Sequence, residues 1–236
     1  MPQFIIQENR PNCGAFAVAY YHWLTSGIPE AEGTQEEQEQ AQKEEVEEIT
    51  EEVLFGTDNP VRGLENYCDP VKMITYMTSV LGVDEAKIKF YSGGAGNPAD
   101  VLLEAMLSTA SEENPNCEGK LVARWLEDGL IQRAAVPAAW TGYLLSLGYA
   151  LSRSKLSDEQ PLPLAELANF AAVHYALVKR TSESIEIMNS WDGHFLPGAG
   201  YMANTALLKT GPYAGNEKSP NYNRLQFLSA GILITN

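Results

Sequence analysis

The segment that most restricts the fold runs from Cys13 to Leu24, CGAFAVAYYHWL, an almost unbroken apolar stretch with small residues interspersed. A helix that is apolar on every side has no stable place on a surface, so other elements must enclose it. Asn12 stands where an N-cap belongs, and Thr25-Ser26-Gly27 stops the segment. Ahead of it lie a short apolar run, Phe4-Ile5-Ile6, and the polar, turn-prone stretch from Gln7 to Asn12. The pattern predicts a central helix with Cys13 in its first turn.

Enclosing such a helix requires a large core, and 236 residues, 44% of them hydrophobic, supply one. The chain carries 31 acidic against 16 basic side chains, a net charge of −15. That balance argues against nucleic acid, which is bound by displacing counterions with Lys and Arg, and against docking on an anionic membrane. No apolar run approaches the roughly 20 residues that span a bilayer. Cys13, Cys68 and Cys117 are odd in number and widely spaced, so neither a disulfide framework nor a metal site can be read from them. No metal and no cofactor are expected. The N-terminus has no basic segment leading into an apolar one, so a Sec signal is not expected. The expected location is the cytoplasm, or outside the cell by a signal-peptide-independent, effector-like or toxin-like route. With Cys13 as a nucleophile, no inhibitory pro-segment is expected ahead of it.

From Glu30 to Glu52 there are eleven glutamates. Val46, Ile49 and Val53 recur at helical spacing, so the second half reads as an amphipathic helix. Thr34 to Gln42 has little to bury and is expected to be mobile. The whole stretch reads as a solvated acidic insertion, 30–52; a lid or a docking arm for a basic partner is the functional alternative. Helices are predicted over Val71–Leu81, Val101–Ala110 and Leu121–Leu130, and a strand over Ile88–Tyr91. Ser92 to Pro98 is glycine-rich but lacks the Lys-Ser/Thr ending of a phosphate loop, so it reads as a turn. Val136 to Leu151 is long and apolar with two interior glycines, and fits a helix or a strand. The last third reads as strands: Ala172–Lys179 and Ile185–Met188 paired through a polar turn, then Gly200–Lys209 and Leu225–Ile234. The expectation is one α+β domain over 1–236, with a helical lobe over about 12–165 and a mostly antiparallel sheet lobe over about 170–236.

Within that frame one set of residues carries chemistry. Cys13 opens a helix, where the macrodipole and unpaired backbone N–H groups favour a negative sulfur. His174 lies in the run Ala172-Val173-His174-Tyr175-Ala176-Leu177, and Asn189 follows the next strand. Pairing the two strands brings Asn189 back to the level of His174, where its carboxamide oxygen can fix the tautomer of the imidazole. Trp191, two residues on, can shield that bond from water. Gln7 lies six residues before Cys13, in a segment that must turn back over the helix start, so its carboxamide can join the Cys13 amide in stabilising an oxyanion. His22 and His194 are expected to be structural or solvent-facing. Cys68 and Cys117 lie in polar contexts and receive no role.

Gln7-x5-Cys13-Gly14, His174-Tyr175-Ala176-Leu177 and Asn189-Ser190-Trp191 resemble, in that order and spacing, the papain-like cysteine peptidase clan. Gly14-Ala15-Phe16-Ala17 is closer to the bacterial branch, including the leader peptidases of bacteriocin exporters, than to plant and lysosomal papains. The resemblance implies a papain-like fold and a Cys13–His174–Asn189 triad with Gln7 in the oxyanion hole. It also implies a protein or peptide substrate cleaved through a thioester. In the bacterial branch the third member is often aspartate, so Asp192 is the alternative to Asn189. Residues 28–165 carry no resemblance. The same triad serves glutamine deamidation or acyl transfer, and a binding module retaining the scaffold is a further alternative.

Overall fold

A computed structural model describes residues 4–7, 12–28, 34–56, 66–108, 118–152, 171–190, 195–197, 207–209 and 222–236. Trp191, Asp192, His194 and Cys117 lie outside the described residues, as do 200–206 of the predicted Gly200–Lys209 strand.

The apolar segment forms the first helix, α1 (Cys13–Ser26), with every residue from Cys13 to Tyr20 buried. It ends at Gly27, whose φ of 100° is one that a side chain resists. Asn12 occupies the N-cap position, but its side chain makes no capping bond. It turns aside to donate from Nδ2 to Thr50 Oγ1 at 3.2 Å, tying the helix start to its neighbour.

That neighbour is α2 (Gln35–Val53), which covers the acidic insertion. The expected mobility of Thr34 to Gln42 is corrected here: helix begins at Gln35. A capping box explains it, with Glu37 N donating to Thr34 Oγ1 and Thr34 N donating to Glu37 Oε2 at 2.6 Å. Gln42 is buried and accepts from Ile5 N at 3.0 Å, clamping the N-terminal segment onto α2. Val46, Ile49, Thr50 and Val53 continue the same buried face.

Next come α3 (Pro70–Ser79), β1 (Ile88–Tyr91), α4 (Pro98–Ser108), α5 (Glu118–Glu127) and β2 (Ile131–Gln132). The remaining strands are β3 (Gly142–Ser152), β4 (Ala171–Arg180), β5 (Ile185–Met188), β6 (Phe195–Pro197), β7 (Leu207–Lys209) and β8 (Tyr222–Thr235). The glycine-rich stretch after β1 is a turn, as its composition predicts. The ambiguous stretch resolves into strand from Gly142, with Val136 and Trp140 left as a cover for the sheet.

The fold is α+β. One sheet runs in the order β2-β1-β8-β3-β4-β5-β6, with β7 also on β8, and every pairing except β1–β2 is antiparallel. A helical lobe is expected up to about residue 165. β1, β2 and β3 lie before it, yet they complete the same sheet as β4 and β8. Alternation gives the sheet two apolar faces. Leu145, Leu147, Tyr175, Leu177 and Ile232 join the core that surrounds α1. Leu144, Ala176, Val178, Ile187 and Leu233 pack under Val136 and Trp140. Among the described residues no helix is long and apolar enough to cross a membrane.

Candidate active site

The site forms where α1 begins and the β4–β5 ladder ends. That ladder pairs Arg180 with Ile185 and closes at Leu177 opposite Met188. Beyond it, the next β4 amide on that edge is that of Tyr175, and it donates to Cys13 Sγ at 3.3 Å. The sulfur thus occupies the place along the edge of β4 where a longer β5 would have put a carbonyl. His174 is the adjacent residue.

Past Met188 the chain leaves the ladder, and Asn189 is buried within hydrogen-bonding distance of His174: Nε2 and Oδ1 are 2.9 Å apart. A carboxamide oxygen only accepts, so Nε2 carries the proton and Nδ1 is the basic nitrogen of the ring. The pairing of β4 with β5 and the return of Asn189 to the level of His174 are as the sequence predicts.

Gln7 is held by the residue after Asn189. Its backbone N–H donates to Ser190 O at 2.7 Å, and its Oε1 accepts from Ser190 Oγ at 2.6 Å. Three contacts thus lie close together in the chain path: Tyr175 N with Cys13 Sγ, His174 with Asn189, and Ser190 with Gln7.

Burial governs the electrostatics. Cys13 is 5% exposed and His174 2%. Burial pushes the Cys13 thiol up to about 11, against the opposing effect of the Tyr175, Gly14 and Cys13 amides around the sulfur. Burial pulls His174 down to about 4, with the Asn189 bond acting the other way. At neutral pH the resting pair is a neutral thiol and a neutral imidazole.

Cys68, expected in a polar context, is buried against the helix start. A Cβ on Gly14 would lie 2.5 Å from Cys68 Cβ and 2.9 Å from its Sγ, so only glycine fits there. The Gly14 and Ala15 amides face the Cys68 sulfur, whose thiol is raised by burial and by the nearby Cys13. Cys68 thus takes the capping place that Asn12 leaves. Gly14 is the sequence signal for a close approach, although nothing in the sequence names its partner. Ser190 is visible there only as the middle of Asn-Ser-Trp.

His22 lies elsewhere, with Nδ1 2.6 Å from Glu45 Oε1, and serves to join α1 to α2. Among the described residues no group of three or more His, Cys, Asp or Glu side chains is arranged to hold a metal ion. Compared with known proteins, the chain matches no family model, no curated protein and no solved structure.

Proposed function

We propose that the chain is a papain-like cysteine hydrolase that cleaves peptide bonds in a protein or peptide substrate. The observation that carries this reading is the buried His174–Asn189 hydrogen bond, one residue along β4 from the amide that holds Cys13 Sγ. A thiol at a helix start and an imidazole held by a carboxamide are the residue types that a nucleophile, its base and an orienter require.

In this reading His174 Nδ1 removes the Cys13 proton as the sulfur attacks the substrate carbonyl carbon. The imidazolium that forms is stabilised by the Nε2–H···Oδ1 bond to Asn189. The carbonyl electrons move onto oxygen, where the Cys13 backbone N–H and the Gln7 carboxamide N–H groups donate to it. Collapse breaks the carbon–nitrogen bond, and His174 returns its proton to the leaving amine. Water, deprotonated by His174, then hydrolyses the thioester and regenerates the thiol. The neutral resting pair suits this sequence, since the base is unprotonated and the nucleophile holds the proton to be transferred.

The test is incubation of the protein with unfolded protein substrates, followed by mass spectrometry, with Cys13→Ser as control. New N-termini that depend on Cys13 support peptide hydrolysis. A gain of about one mass unit at glutamine without cleavage marks deamidation, and an adduct on an added amine marks acyl transfer by the same thioester.

A second reading, a binding module on this scaffold, is favoured by one observation. Cys13 is 5% exposed and its thiol is raised, as for an inert buried cysteine. Absence of any Cys13-dependent product across substrates would favour it.

A further inference from the structure

Two consecutive buried residues after β5 each bind a different member of the site. Asn189 reaches His174, and Ser190, 2% exposed, donates through Oγ to Gln7 Oε1 at 2.6 Å. The oxygen and nitrogen of a carboxamide point about 120° apart, so fixing the oxygen also fixes where the N–H donors can point. The second bond between the same residues, Gln7 N to Ser190 O at 2.7 Å, is backbone to backbone. It anchors the segment whatever side chain stands at position 190. The hydroxyl is therefore separable from that anchor: it sets the rotation of the Gln7 carboxamide while the main chain holds its position.

We propose that Ser190 is the positioning residue of the oxyanion hole, presenting the Gln7 carboxamide N–H groups to the substrate oxygen. This rests on the cysteine-hydrolase reading and deepens it. The segment from Met188 to Ser190 then sets the base and the oxyanion donor together, from one backbone turn. Ser190 touches neither substrate nor sulfur in this role and acts only through Gln7.

The experiment compares two reactions of Cys13. With p-nitrophenyl acetate, the sulfur attacks the ester carbonyl, its proton passes to His174, p-nitrophenolate leaves, and Cys13 becomes an acetyl thioester. That reaction develops an oxyanion. With iodoacetamide, the sulfur displaces iodide from a saturated carbon and no oxyanion forms. Both products are read at Cys13 by peptide mass spectrometry.

Ser190→Ala slows acetylation by about tenfold to a hundredfold, the range for loss or misplacement of one oxyanion donor, and leaves alkylation unchanged. Ser190→Thr, which keeps the hydroxyl, restores acetylation. Gln7→Ala shows a loss at least as large, and adding Ser190→Ala to it causes no further loss. Equal slowing of both reactions by Ser190→Ala, or losses that multiply in the double variant, would overturn the assignment. Unslowed acetylation in Ser190→Ala would do so as well. A wild-type Cys13 that alkylates but never acetylates would instead remove the hydrolase reading, and this assignment with it.

Discussion

Two buried polar clusters sit on opposite sides of the central strands β8 and β3, and they handle charge in opposite ways. In one, Asp100 accepts from Ser92 Oγ at 2.8 Å and from Arg133 Nε and a terminal nitrogen at 3.0 Å each. Arg133 also pairs with Glu104, and Asn97 donates to Leu228 O at 2.7 Å. The Arg133 hydrogen bonds hold the Asp100 carboxyl below its usual range, so this cluster stabilises a charge and fixes the turn after β1. In the other, Cys13 and His174 are buried beside amides and a carboxamide, and burial drives both toward their neutral forms. The first cluster is complete as it stands. The second buries a thiol and an imidazole that are both neutral at pH 7.

The contrast can be tested through stability and reactivity. The largest effect lies in the pH dependence of folding. His174 has its folded value depressed from 6.5 to about 4, so it takes up a proton more readily when unfolded. Stability is therefore present above 6.5 and is lost as pH falls through 4, by roughly 3 kcal/mol over that window. Urea unfolding at stepped pH should show this loss in wild type and not in His174→Gln. Identical profiles would mean that the histidine is not buried neutral. Asp100 titrates from a folded value below 3.8, so its contribution is lost only at lower pH, and Asp100→Asn should leave the His174 window intact.

Packing at the helix start comes next. Gly14→Ala places a methyl against Cys68 and should destabilise the fold by about 2 kcal/mol, with partial recovery in Gly14→Ala/Cys68→Gly. Full stability in Gly14→Ala would show that α1 does not sit so close to Cys68. Asp100→Asn should cost about 1–2 kcal/mol in thermal or urea unfolding, because Arg133 is 43% exposed and its charge is partly screened. Cys13 alkylation should be unchanged in that variant; a fall would couple the two clusters. Ser92→Ala, which leaves Arg133 on Asp100, should cost about 1 kcal/mol by the same measurement.

The second cluster is far more legible in the sequence than the first. Cys13 opens an apolar helix and His174 lies in an apolar strand, both legible from composition, and the short turn between β4 and β5 fixes the register that returns Asn189 to His174. The first cluster joins Ser92, Asp100 and Arg133 across a turn, a helix and a loop, and no local pattern links such residues. Cys68 escapes notice for the same reason: a lone cysteine in Tyr67-Cys68-Asp69 carries no sign of what it will face. Strand order does not follow chain order, and no local pattern reveals that. β8, last in sequence, inserts between β1 and β3. Burial alone gives Thr34 to Gln42 little reason to be helical, whereas its helix is held by the Thr34–Glu37 capping box and by the bond from Ile5 to Gln42.

The central claim is that His174 serves Cys13 as a base, and the pH profile of iodoacetamide alkylation at Cys13 tests it most directly. In wild type the rate should rise as His174 loses its proton near pH 4 and then stay level through neutrality. In His174→Ala it should fall by about a hundredfold or more at pH 7 and climb with the thiolate fraction toward about 11. A wild-type Cys13 that climbs in the same way as the variant, and reacts no faster than Cys68, would contradict the account.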